Sequence, residues 1–268
     1  MSKRLGLFFS LIFSFVVINK ISAVSLNEFI KEVYLQQKDD SQLYELYLAV
    51  KPNLKTNYDI ALLNYYMARA YQSFDTIAVA TAHNKAMRKG RFISLFDFYS
   101  ARKEAIDYYE LSLEFIKKEL DSYTKDVAKD ENYAQFLALK ADSISQLCLL
   151  KSLSYTVGNG LSVARFAKEV LSIIPNDNRA KMLIASSKIY PPKIYGGDPQ
   201  DGIKLLNEIS LTDIGDEERF NIYSGYGYCY ARLGQKTNAL SYIQKALDIY
   251  PTNIFLLALK KMVQEDSF

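Results

Sequence analysis

The sequence predicts an all-α protein, a stack of helical hairpins, on three observations. Helix breakers are scarce: 268 residues hold 11 glycines and 6 prolines, and each is costly inside a helix. Apolar residues recur at three- and four-residue spacing, the period of one helix face. Twice a glycine stands seventeen residues before a proline, Gly234 before Pro251 and Gly158 before Pro175. That spacing sets a turn inside a hairpin and a stop at its end.

The chain opens on what reads as an export signal. "MSKR" is a basic start, residues 5–18 are uncharged, and "NKISA" follows, with cleavage expected after Ala23. The uncharged run falls short of the roughly 20 residues a membrane span needs. The first cysteine is Cys148, so no lipid-accepting cysteine follows the run. Residues 1–23 are therefore expected to be a signal peptide and 24–268 a single α-solenoid domain, periplasmic or secreted. Membrane association would require an uncleaved signal or a partner. Lys3, Arg4 and Lys20 lie in the signal, and the rest of the chain balances 30 basic against 30 acidic side chains. A net charge near zero argues against nucleic acid as a partner.

Residues 216–250 are the clearest hairpin. Asp216 is expected to cap a first helix, with Glu217 and Glu218 favourable in its first turn. The helix should run to about Leu233 and end on Gly234. Thr237 is expected to cap a second helix, where Ala239, Ile243 and Ala246 share one apolar face before Pro251 stops it. The spacing resembles the tetratricopeptide repeat (TPR). That family's first-helix pattern is met by Tyr223, Tyr226, Gly227 and Tyr230, and its second by Ala239, Ile243, Ala246 and Pro251. Small residues let the helices approach, and large ones fill the gaps between hairpins.

A weaker copy ends at Pro175. Leu147 and Leu150 take the first-helix positions, Gly158 the turn, and Val163, Ala167 and Val170 the second helix. A third lies between. Ile184 and Ala185 mark its first helix, and Gly202, Leu206 and Ile209 its second. The repeats are thus placed at about 144–177, 178–216 and 217–251. "YPPKIYGGDPQDG" (190–202) becomes an enlarged loop inside one hairpin. Asp198 is its expected N-cap and Pro199 the first helical residue. A phosphate cradle is disfavoured, because "GGDP" lacks the lysine motif and Asp198 would repel an anion.

Upstream repeats are irregular. "NYYMARAY" (64–71) reads as a first helix with Met67, Ala68 and Tyr71 in place, and residues 104–115 as its second, with Ala105, Tyr109 and Ser112. An elaborated connection separates them at 73–100. It carries the only histidine, His83, in "HNKAMRKGR", which reads as a solvated helix end rather than an anion site. Residues 26–50 read as two helices split near "KDDS", and 252–263 as a C-terminal capping helix.

No cluster of residues specifies catalysis. One histidine and two distant cysteines give no metal-ligand set, and no nucleophile motif is present. Cys148 and Cys229 read as buried thiols rather than a disulfide. No catalytic residue, cofactor or metal is expected, and the chain is not read as an enzyme. The TPR resemblance implies a concave groove lined by first helices, which would take a protein or peptide partner. Carried over by position, its residues are Arg179, Met182 and Ser186 from one repeat and Asn221, Ser224 and Tyr228 from the next, with the 190–198 loop, which begins at Tyr190, as one wall. Tyr228 is expected on a different helix face from Tyr226 and Tyr230. A narrower resemblance joins "PPKIYGGDPQDGIKLL" to exported bacterial TPR proteins associated with TRAP-type solute transporters. It implies an alternative, an accessory subunit holding a small apolar ligand in an internal channel.

Overall fold

Polar caps supplied by the sequence start most of the helices. The computed structural model describes residues 24–35, 37–74, 103–123, 128–191, 193–212 and 214–266. The expected signal, and nearly all of the 73–100 connection with its His83 cluster, lie outside the described residues. Those residues form eleven α-helices and no strand: α1 (Leu26–Leu35), α2 (Asp40–Val50), α3 (Asn57–Phe74), α4 (Lys103–Leu120), α5 (Glu131–Leu150), α6 (Leu153–Ile173), α7 (Asn178–Ile189), α8 (Pro199–Asn207), α9 (Asp216–Arg232), α10 (Lys236–Ile249) and α11 (Ile254–Gln264). None of the described helices is long and apolar enough to cross a membrane.

Asp39, Asp130, Ser152, Asp177 and Asn253 each accept a backbone N–H from the first turn that follows. Asp198 accepts two, from Gln200 at 2.8 Å and Asp201 at 3.2 Å. Two starts differ from expectation. The cap of α9 is Gly215, whose N–H donates to the Glu218 carboxylate at 2.7 Å, and Asp216 is already helical. The start of α10 is Gln235, so Thr237 lies inside that helix.

Helices pack in chain order as hairpins: α3 with α4, α5 with α6, α7 with α8, and α9 with α10. The first helices α3, α5, α7 and α9 also touch one another in sequence, and α11 covers α9 and α10. Small residues sit where the helices of a hairpin meet. Ala239, Ile243 and Ala246 are fully buried, and Gly227 faces Ile243. In the α3–α4 hairpin Ala105, Tyr109 and Ser112 are buried, and the Ser112 hydroxyl donates to the Ala61 carbonyl at 2.8 Å. Gly234 takes φ +69° after α9, the left-handed turn expected of it.

The 190–198 segment is indeed a loop within a hairpin, joining α7 to α8. Gly196 turns it at φ +85°. The Asp198 N–H donates back to the Lys188 carbonyl at 2.8 Å. Arg232 of α9 fixes its entry by donating to the carbonyls of Ile189 and Pro191, at 2.8 and 3.1 Å.

The hairpin around Pro175 departs from expectation. Val163, Ala167 and Val170 are buried as expected. The turn, however, lies at 151–152, and Gly158 is inside α6. Ser152 caps α6 there, and Gly158 faces open space. The hairpin therefore spans 131–173 rather than 144–177.

Buried residues fall into two cores. One lies within α5, α6 and α7, with Leu137, Ala141, Val163 and Ala167. The other is continuous from Phe29, Val33 and Tyr34 of α1 through α3 and α4 to Phe220, Tyr250 and Leu259 near the C-terminus. The stack of described helices is therefore closed, with Tyr34 of α1 packed against the α9–α10 hairpin.

Candidate binding surface

First helices of adjacent hairpins put their inward side chains on one surface. On α7, Arg179, Met182 and Ser186 recur at three- and four-residue spacing and so share a face. Arg179 is about a quarter exposed, with its Nε 3.8 Å from Asp142 Oδ2 of α5. Burial works against its charge, but the Tyr58 and Tyr66 hydroxyls, Asp142 and Glu217 outweigh it, and the guanidinium is held protonated above its ordinary range. Met182 is partly buried against the larger core. Ser186 and Asn221 are half-buried. Tyr190 is half-buried with its ring 5.4 Å from that of Tyr228.

Two of the seven expected residues are interior. Tyr228 has no exposure and packs between Tyr190 and Phe255, because α11 lies over α9. Ser224 is buried, and its hydroxyl donates to the Phe220 carbonyl at 2.7 Å. Tyr223 and Tyr230, which match large positions of the first-helix pattern, are half-buried. They pack on Tyr242, over whose ring Lys245 sits at 4.7 Å.

The strongest polar feature of the surface has no counterpart in the sequence reading. Glu217, at the start of α9, accepts from the Tyr34 hydroxyl of α1 at 2.6 Å and the Tyr66 hydroxyl of α3 at 2.5 Å. Burial, then the Glu217 carboxylate, push both phenols well above their ordinary pKa. They remain neutral donors, fit to orient a carboxylate and unfit to act as bases. Tyr34 also stacks on Tyr250 with ring centres 4.9 Å apart, and meets Tyr66 and Phe220 edge-on. Beside it Arg69 donates to Gln146 of α5 at 2.8 Å, and Tyr109 donates to Gln72 at 2.6 Å. Tyr34 lies 183 residues from Glu217 and Tyr66 lies 151 from it, so no local pattern could have joined them.

A hollow of about 320 Å³ opens between the start of α3, the end of α4 and the start of α5. Its Asn57 amide already donates to Glu119, and Tyr58 meets Phe136 edge-on. Among the described residues no three His, Cys, Asp or Glu side chains gather to hold a metal. Cys148 and Cys229 are free and buried, and burial pushes the Cys229 thiol up to about 12. No protein-family model, curated protein or solved structure matches the chain at a significant level.

Proposed function

We propose that the chain is an exported, TPR-like scaffold that binds a protein or peptide partner on the inner surface of its first helices. The observation that carries this reading is the ordered contact of α3, α5, α7 and α9. On adjacent first helices it sets Arg179, Met182, Ser186 and Asn221, each keeping some exposure, and arginine and methionine are enriched where proteins meet. The TPR-like spacing is supported by Gly227 against Ile243, the left-handed Gly234, and the burial of Ala239 and Ala246. A transport-accessory role would call for an internal apolar channel. It draws no support from the space between α1, α3 and α9, which is filled by Tyr34, Tyr66 and Phe220.

Native mass spectrometry of the chain from residue 24, purified from its own cell envelope, tests the reading. A stoichiometric protein partner is expected. Ser186→Ala with Asn221→Ala, both half-buried, should weaken that complex while leaving the melting temperature nearly unchanged. A retained small apolar molecule in a homo-oligomer, with no protein partner, would overturn the scaffold in favour of transport.

A further inference from the structure

The inner surface already holds a helix. Phe29 and Val33 of α1, four residues apart and so on one face, are 0% and 5% exposed. Next to Val33, Tyr34 places its hydroxyl on Glu217 and its ring on Tyr250. We propose that α1 is a resident ligand of a seat between α3 and α9, and that the seat's partner is an amphipathic helix with two apolar side chains one turn apart and a tyrosine beside the second. This rests on the scaffold reading and names its partner class.

The seat is built without α1. Tyr66 holds one oxygen of Glu217, while Phe220 and Tyr250 pack edge-on to each other with ring centres 5.0 Å apart. Withdrawing α1 would leave the other carboxylate oxygen and the Tyr250 face bare. A tyrosine on an incoming helix restores both contacts, whereas a phenylalanine restores only the ring.

Exchange is also favoured by what α1 is. It has ten residues, fewer than the ~12–15 at which isolated helices become stable, so its helicity depends on the seat. A short element whose helicity depends on tertiary contacts is among the first to open locally. Outside the seat it packs on α2, and its far end is tied by the Thr252 hydroxyl, which donates to the Leu35 carbonyl. Its start carries its own capping pair, Ser25 with Glu28, so a peptide of this segment brings its cap with it.

A fluorescein-labelled peptide of residues 24–38, titrated into the full chain by fluorescence anisotropy, tests this. Thr252→Val loosens α1 without touching the seat, and Tyr34→Ala withdraws its anchor. Each variant should bind the peptide at least about tenfold more tightly than wild type, whose own α1 competes. A peptide carrying Tyr34→Phe should bind about tenfold more weakly, the worth of a hydrogen bond to a carboxylate, and Glu217→Gln in the chain should shrink that difference. Should Tyr34→Ala fail to fold by circular dichroism, Thr252→Val alone decides. Equal binding by wild type and variant, or binding by neither, overturns the proposal. The scaffold reading fails separately, if the peptide binds but the purified chain carries no protein partner.

Discussion

Gly227 shows how one absent methyl sets the distance between two helices. A Cβ there would stand 2.8 Å from Ile243 Cγ1 and 3.2 Å from the Ile243 backbone nitrogen. The side chain could turn aside but the backbone could not. Gly227→Ala is therefore expected to cost about 1–3 kcal/mol, as overpacking does, measured by urea unfolding. Gly158 gives the opposite case. It too is helical, but a Cβ there meets nothing within 4 Å. Gly158→Ala should stabilise by roughly 0.5–1 kcal/mol; a loss would contradict an α6 that runs through it. Gly227 was legible in the sequence because its partners Ala239 and Ile243 lie on the next helix, at fixed spacing. Glu217 was legible only as a first-turn acid. Its hydroxyl donors come from distant helices, and only the closure of the stack brings them to it. Tyr228 was misassigned for the same reason, since its cover comes from Phe255 across a helix boundary.

At the scale of elements, local chemistry carried most of the reading. Asp198 and Pro199 start α8 because the carboxylate takes two first-turn N–H groups and proline needs none. The N–H groups of Asp201 and Gln200, with Lys188 and Lys193 nearby, hold the Asp198 carboxyl below its ordinary value. Its contribution is thus present above the unfolded pKa and lost as pH falls through the lower folded one. Asp198→Asn keeps the acceptor and discards the charge. At neutral pH its melting temperature should lie between those of wild type and Asp198→Ala. The gap to wild type should close as pH falls from about 5 toward about 2. A gap that stays constant with pH would show that the charge contributes nothing. The spacing of Gly158 and Pro175 misplaces the α5–α6 hairpin because its helices are longer than those of the clearest hairpin. With 20 and 21 residues, α5 and α6 are longer than α9 and α10, and a glycine on the exposed side of α6 imitated a turn.

At the scale of the molecule, closure is what the sequence did not show. Hairpins in an open solenoid feel only their neighbours, so a change at one end is silent at the other. Here Tyr250, at the end of α10, stacks on Tyr34 of α1 and packs on Phe220. The core it joins reaches α1 and α3 and takes in Phe136 and Leu139 of α5, while Val163, Ala167 and Val170 of α6 belong to the other core. Tyr250→Ala should therefore cost about 3 kcal/mol, as a large buried ring does, and much of that loss should appear far away in the chain. Native-state hydrogen exchange would read it directly. Amides of α1 should lose protection together with those of α9 and α10, and the inner turns of α6 should keep theirs. Loss confined to α9, α10 and α11 would mean that the contact between α1 and the last hairpin is not maintained in solution. The inner surface would then stand open, and a partner would have no resident helix to displace.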